Sequence, residues 1–412
     1  MSPSRRAVIT GLGPITCIGE GVEAFWNGVR AEKSGIGRLT RFDSSPFHAH
    51  CAAEIPDFDP TRYFPPHRLK RLDRYAQFAV ASARLALEDA GLTWSHDEPR
   101  ERYGVSFGTA LGGISNAEAE HGEFLNRGSR GVNQTLALQV FGGSAHSNIA
   151  IECGFMGPGT TNSNSCASGP VAVGDAMRWI REGLADVVVA GAAEAPLSPL
   201  TFGAFDMIRT MSRGEPPHAC RPFDRDRDGF VMGEGAAALI VEEYEHAIAR
   251  GARIYAEVLG TSLSNDAYHM TTPRPDGRAV VRTVRLALED ARTEPSEIDY
   301  INAHASSTRV NDSNEVRCLR QVFGESLRSI PCSGTKAYTG HPLGATGAIE
   351  LAVCALAFHH NFLPPTLHHE NVDPECDIDV IPVHGREARP NRILSNSFGF
   401  GGINSCIVLG RV

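Results

Sequence analysis

The chain has 412 residues, of which 42% are hydrophobic and 21% charged, and carries a net charge of −9. This balance excludes a disordered chain or a fibre, leaves material for two domains or one large duplicated one, and argues against nucleic acid as a partner. Ten cysteines with no C-x-x-C pair and no regular framework read as free thiols. With no signal-peptide pattern at the start, the expected compartment is the cytoplasm.

In chain order, the apolar run 8–10 before Gly11-Leu12-Gly13 predicts a first strand and a glycine turn. It is not a dinucleotide fingerprint, because Thr16 stands where the third glycine of G-x-G-x-x-G belongs. An alanine- and leucine-rich helix over 75–90 ends at Gly91, and a strand over 103–107 runs into a glycine-rich turn over 108–113.

After Gly157-Pro158-Gly159 comes the stretch 160–169, Thr-Thr-Asn-Ser-Asn-Ser-Cys-Ala-Ser-Gly. Downstream, Val173, Met177, Ile180 and Leu184 recur at helical spacing, so the stretch reads as a strand end entering an amphipathic helix. Cys166 then sits at a helix N-terminus, where the dipole and unpaired amides favour a thiolate and small neighbours let a substrate approach. Taken alone, a buried cysteine acting as a small hydrophobe is the commoner case. A short apolar strand over 186–190 follows.

The chain then restarts. Arg84-Leu85-Ala86-Leu87-Glu88-Asp89-Ala90 recurs as Arg285-Leu286-Ala287-Leu288-Glu289-Asp290-Ala291, each time at the end of a helix. Ser333-Gly334-Thr335 leading into Gly344-Ala345-Thr346-Gly347-Ala348-Ile349-Glu350-Leu351 repeats the strand, glycine-rich turn and small-residue helix seen around Cys166. Two α/β halves, 1–255 and 256–412, are expected to bring their central helices together so that both contribute to one site. In the second half His304, Lys336 and His341 each follow a predicted strand among small residues, where a side chain can project into a cleft. Two histidines and a lysine facing a candidate thiolate point to catalysis.

These motifs resemble those of the β-ketoacyl-acyl-carrier-protein synthases, elongating condensing enzymes of the thiolase superfamily. The resemblance runs from Val8-Ile9-Thr10-Gly11-Leu12-Gly13 to Asn396-Ser397-Phe398-Gly399-Phe400-Gly401-Gly402-Ile403-Asn404. Between them lie Arg221-Pro222-Phe223-Asp224 with Asp228-Gly229-Phe230, and Ser264-Asn265-Asp266-Ala267-Tyr268-His269-Met270. It implies a thiolase-like, duplicated α/β/α/β/α five-layer fold and a dimer, either with itself or with a chain-length-factor-like subunit. It also implies decarboxylative condensation of an acyl group on Cys166 with malonyl-acyl carrier protein, extending the chain by two carbons. No cofactor is implied beyond the carrier protein's phosphopantetheine arm, and no metal.

Carried across by position, the resemblance makes Cys166 the acyl-accepting nucleophile. His304 and His341 become the pair that promotes decarboxylation and stabilises the enolate. Lys336 and Glu350 form a charge pair that sets geometry around them. The amides of Cys166 and Phe400 form an oxyanion hole, with the Phe400 ring as a gate. Ser306 and Thr308 bind the phosphopantetheine arm, and Leu111 lies near the far end of the acyl pocket.

Three stretches depart from the usual family pattern: Asn164-Ser165-Cys166 replaces Thr-Ala-Cys, Ala305-Ser306-Ser307-Thr308-Arg309 follows His304, and the segment 140–146 is unlike the usual version. They alter the walls and leave the reacting groups, which points toward a specialised polyketide or polyene pathway over bulk fatty-acid synthesis. Basic residues cluster at Arg68, Lys70, Arg71 and Arg74, with Arg127, Arg130 and Arg209 elsewhere. Arg71, Arg127 and Arg209 are the candidates for docking an acidic carrier protein.

Asp224-Arg225-Asp226-Arg227-Asp228-Gly229 opens like an EF-hand loop, but the twelfth position is Gly235 where a bidentate glutamate is required. His359-His360 and His368-His369 match no zinc spacing and read as surface residues. Three rival readings remain: a degradative thiolase, opposed by the histidine pair; a non-catalytic chain-length factor, opposed by Cys166; and a cysteine hydrolase, opposed by a gated acyl tube.

Overall fold

The computed structural model describes residues 5–412. Eleven strands form its main sheet, a two-residue strand Gly19–Glu20 folded back on the first and ten in continuous order: β1 (Ala7–Thr16), β2 (Tyr103–Gly108), β3 (Gly159–Asn162), β4 (Val187–Glu194), β5 (Gly235–Glu243), β6 (Ala256–Asn265), β7 (Tyr300–Asn302), β8 (Cys332–Ser333), β9 (Arg392–Gly399) and β10 (Ile403–Gly410). The principal helices are α1 (Arg74–Asp89), α2 (Ser168–Arg181), α3 (Arg278–Asp290), α4 (Arg309–Phe323) and α5 (Thr346–His360).

Outward from the central β1–β6 pair, the strands run β1-β5-β4-β2-β3 on one side and β6-β10-β9-β7-β8 on the other. The pairing senses repeat as well: antiparallel for the two inner pairs of each series, parallel for the two outer ones. The seam is antiparallel, with Val8 opposite Glu257 and Ile9 opposite Ala256. The two copies of the repeated heptapeptide close α1 and α3, which occupy matching places outside the two series.

Side chains alternate between two apolar layers, as expected for strands covered on both faces. On β4, Val187 and Val189 face α1, whereas Val188 and Ala190 face α2. On β10, Cys406 and Val408 pack with α3 and α4, and Ile407 and Leu409 face the middle. The layers are therefore outer helix α1, one sheet series, the pair α2 and α5, the second series, and the outer helices α3 and α4. This is the thiolase-like α/β/α/β/α arrangement that the resemblance implied.

Helix α5 is buried from Thr346 to Phe358, so it carries no polar stripe. Its stretch Leu343–His360 is apolar enough to cross a bilayer by length and composition, yet 89% of it is buried here as the middle of the core. Small residues let α2 and α5 touch. A Cβ on Gly169 would stand 2.5 Å from the backbone nitrogen of Ala348, and one on Gly347 would stand 2.4 Å from Cδ of Pro170. This contact brings the start of each central helix, and the turn before it, to the same place.

Four expectations about local structure are corrected. Gly11 and Gly13 lie inside β1, not in a turn after it, because added Cβ atoms would meet Ala86 O at 2.2 Å and Ser82 O at 2.0 Å, where α1 crosses. Strand β4 continues past Ala190 to Glu194. Helix α2 ends at Arg181, leaving Leu184 52% exposed and off the core face. Cys166 lies in a tight 3-10 turn, Ser165–Ala167, just before α2.

Candidate active site

Strand β3 carries the chain to Asn162, and Ser165 then adopts φ +53, a left-handed conformation that turns the backbone sharply ahead of Cys166. The Ser168 hydroxyl holds this turn: it accepts the Asn164 amide at 2.9 Å and lies 2.7 Å from Ser165 O and 3.2 Å from Thr109 O. The second half repeats the device, with a 3-10 turn at Leu343–Ala345, Leu343 at φ +36, and α5 following.

The Cys166 sulfur and one ring nitrogen each of His304 and His341 lie within 4.8 Å of one another, and all three residues are buried. The two imidazoles meet edge to face with centroids 5.5 Å apart. His304 follows β7, and its amide donates to Glu315 Oε1 at 2.9 Å while the Ala305 amide donates to Oε2 at 2.8 Å. His341 does not directly follow a strand. It comes after the one-turn helix Lys336–Thr339, and its Nδ1 lies 2.7 Å from Thr346 Oγ1 at the start of α5. That contact occupies Nδ1 and leaves Nε2 for the cleft.

Lys336 and Glu350 are both buried, and Lys336 Nζ donates to Glu350 Oε1 at 2.7 Å and to the His304 carbonyl. The pair therefore grips the backbone that carries His304. Burial raises the Glu350 carboxyl to about 7, against the lowering effect of the Lys336 ammonium. Burial, together with that ammonium, holds both histidines well below the usual imidazole value, so they are neutral at pH 7; His341 also lowers His304.

Burial pushes the Cys166 thiol up, against the lowering effects of the Ser165 hydroxyl, the Lys336 charge and the Phe400 amide. Desolvation thus opposes the thiolate that the helix N-terminus favours. A Cβ on Gly399 would lie 3.0 Å from Cys166 N, so the Gly399–Phe400 backbone passes directly beside the cysteine turn.

The half-buried Phe400 ring stacks on Phe205, with centroids 6.1 Å apart and planes at 15°. It is followed by Gly401 at φ +85 and Gly402 at φ +71. Phe205 meets Phe230, and Phe230 meets His341, so an aromatic row runs from Phe400 to the histidines. Leu111 packs on the apolar cluster containing Phe202, Phe230 and Leu343. Ser306 and Thr308 share a 3.0 Å hydroxyl contact, and Thr308 also caps α4 by accepting the Asn311 amide at 3.2 Å. A separate cavity of about 500 Å³, lined by residues including Arg41, Glu54, Asp73 and Asn116, contains none of the reactive trio.

Of the basic residues, Arg71, Arg127 and Arg209 are all exposed, and Arg127 pairs with the exposed Glu123 at 3.4 Å. Two members of the predicted basic cluster are corrected, being internally neutralised: Arg74 shares the buried Glu234 with Arg41, and Arg68 pairs with Glu152. The EF-hand-like aspartates serve the chain itself. Asp224 accepts the amides of Asp226, Glu370 and Asn371, and Asp228 accepts from Ser212 and Arg213. His359 and His360 are exposed as expected; His368 and His369 are half-buried instead, with His368 Nδ1 3.1 Å from Cys220 O.

Sequence reasoning missed Thr346, Glu315, Glu194 and Arg227. Thr346 carried a signal, a hydroxyl five residues after a candidate histidine across a small-residue turn. Arg227, almost fully buried, ties Thr308 O, Arg309 O and Asp224 O to Asp373, and nothing in its charged neighbourhood signals burial.

Two family models match: Beta-ketoacyl synthase, N-terminal domain, over residues 4–247, and Beta-ketoacyl synthase, C-terminal domain, over 255–370. A 3-oxoacyl-[acyl-carrier-protein] synthase 2 of Synechocystis sp. is 41% identical over 402 residues, covering 97% of this chain and 96% of that protein. The ishigamide ketosynthase/chain length factor superposes with a TM-score of 0.93 at 37% identity, with both chains fully covered. A type II polyketide ketosynthase, solved with its acyl-carrier protein and bound to the hexaketide, gives 0.92 at 36%, again over both whole chains. With two family models spanning most of its length and full-length relatives at this identity, the chain belongs to the β-ketoacyl synthase family.

Proposed function

We propose that this protein is an elongating β-ketoacyl-acyl-carrier-protein synthase, acting by decarboxylative Claisen condensation. The observation that carries the reading is the convergence of one buried thiol and two neutral imidazoles, contributed by both series of the fold, within 4.8 Å.

Cys166 attacks the thioester carbonyl of an acyl carrier protein, forming an acyl-cysteine and releasing the carrier's thiol. The developing oxyanion is met by the amides of Cys166 and Phe400. Malonyl carrier protein then enters, and its carboxylate leaves as carbon dioxide. The electron pair left behind forms an enolate whose oxygen is stabilised by donors on His304 and His341. Neutral imidazoles suit this role, because each can donate a hydrogen bond without carrying a buried charge. The enolate carbon attacks the acyl-cysteine, the C–S bond breaks, and the product leaves two carbons longer on the carrier protein with the thiol restored.

Lys336 and Glu350 act as positioning residues through the His304 backbone. Ser306 and Thr308 receive the phosphopantetheine arm, Leu111 limits the acyl pocket and Phe400 gates it. Arg71, Arg127 and Arg209 dock the acidic carrier protein. The arm arrives covalently bound to its carrier, and no separate cofactor takes part. The halves divide at 1–255 and 256–412, the ten thiols are those of a cytoplasmic protein, and the altered walls favour a polyketide or polyene pathway.

A second reading concerns assembly. Strand β3 ends one edge of the main sheet, and exposed Phe141, Ile151 and Met156 lie on the segments before it. An open strand edge with apolar neighbours suits a second protein of this kind, either another copy or a chain-length-factor-like subunit. Condensation assayed on the purified chain alone and with such a subunit tests both readings. Product from the chain alone supports a homodimer, and acyl loading without product until the subunit is added supports the heterodimer. Neither loading nor product in either case rejects the condensing reading.

A further inference from the structure

At the end of β4, Glu194 is fully buried and accepts from Thr109 Oγ1 at 3.0 Å, Ala110 N at 2.6 Å, Leu111 N at 3.1 Å and Gly344 N at 3.0 Å. All four donors are neutral and no cation pairs with the carboxylate among the described residues. A buried carboxylate held this way costs desolvation energy that a structural filler would avoid, so its placement calls for a role.

What it joins is informative. Ala110 and Leu111 form the turn that carries the acyl-pocket wall. Gly344 belongs to the 3-10 turn between His341 and Thr346, the residue that orients the His341 ring. Thr109 O meets the Ser168 hydroxyl, which holds the turn of Cys166. Contact is so close that a Cβ on Gly344 would stand 2.5 Å from Ala110 N and 2.7 Å from Glu194 Oε2. One carboxylate therefore spans the pocket wall, the histidine turn and, through one hydroxyl, the cysteine turn.

We propose that Glu194 is a positioning residue that keeps these three turns in one register, so that an acyl chain pressing on Leu111 alters the placement of His341. Chain length is then read twice, by the volume of the pocket and by the efficiency of decarboxylation. This rests on the condensing reading above.

The test compares wild type with Glu194→Gln and Thr109→Val, using a series of acyl carrier proteins and malonyl carrier protein. Glutamine keeps the volume but puts an NH2 donor against backbone amides, and valine deletes the hydroxyl that donates to Glu194 and accepts the Gly112 amide. Expected for Glu194→Gln is a fall in kcat of about tenfold or more, with KM for malonyl carrier protein nearly unchanged. The range of chain lengths condensed should also broaden, while acyl loading of Cys166 persists. Thr109→Val should move the same way by less, and it decides the matter if the glutamine variant does not fold by circular dichroism. Folded variants with wild-type kcat and chain-length profile overturn the proposal. A wild type that fails to condense in the same assay overturns the underlying reading instead.

Discussion

The Lys336 ammonium and the Glu350 carboxylate face each other at 2.7 Å with almost no access to solvent. Such a pair gains from mutual attraction about what it loses in desolvation, so removing one member is worse than removing both. Glu350→Gln should therefore destabilise the protein by about 3–5 kcal/mol in denaturant unfolding, with Lys336→Met/Glu350→Leu costing clearly less. Equal losses for the single and double variants would contradict this description of the pair.

The crossing of the central helices makes a second, purely structural prediction. Gly169→Val places a side chain where even a Cβ comes within 2.5 Å of Ala348 N, so a loss of about 1–3 kcal/mol or failure to fold is expected. Gly122 lies in the exposed helix Ile114–Arg127 with nothing near its Cβ position. Gly122→Ala should stabilise by about 0.5–1 kcal/mol, measured in the same experiment.

Buried reactive groups leave a mark on pH dependence. Because burial raises the Cys166 thiol above its ordinary value, its deprotonated fraction keeps growing through neutral pH. Alkylation by iodoacetamide, followed by intact mass, should rise about tenfold per unit from pH 7 to 9 with no plateau. Lowered histidine values act in the opposite sense: His304 and His341 should remain neutral as pH falls to the ordinary imidazole value, so their ring resonances should not titrate between pH 8 and 6.5. A thiol plateau below pH 8, or imidazoles that gain protons in that range, would contradict the closed-site electrostatics.

Arg71 and Arg209 are exposed cations on an acidic protein. Charge reversal, Arg71→Glu or Arg209→Glu, should raise KM for the carrier protein about tenfold at low salt and weaken its salt dependence. Loading from a small acyl thioester without a protein carrier should be unaffected. If both donors suffer alike, these residues act on the site and not on docking.

Much of this architecture is legible in the sequence. The heptapeptide repeat and the two glycine-rich turns foretold a duplicated fold, and the strand order bears that out residue by residue at the ends of α1 and α3. The cysteine and both histidines also stood out, because small residues around a reactive side chain are visible in one dimension. Glu194, Glu315 and Arg227 did not. Their importance comes from burial and, for Glu194 and Arg227, from partners more than eighty residues away, such as Gly344 for Glu194, which local spacing does not encode. Gly11 and Gly13 misled for a related reason: a glycine demanded by a crossing helix looks the same in sequence as one demanded by a turn.

The central claim is that Cys166 carries the growing chain while malonyl carrier protein supplies two carbons. Intact-mass spectrometry of wild type and Cys166→Ala, incubated with acyl carrier proteins and then with malonyl carrier protein, tests it most directly. The account predicts one added acyl mass on wild type, none on the variant, and discharge of that mass into a product two carbons longer. Acyl loading that survives in Cys166→Ala, or an acyl-enzyme that releases free acid instead of an extended chain, would contradict it.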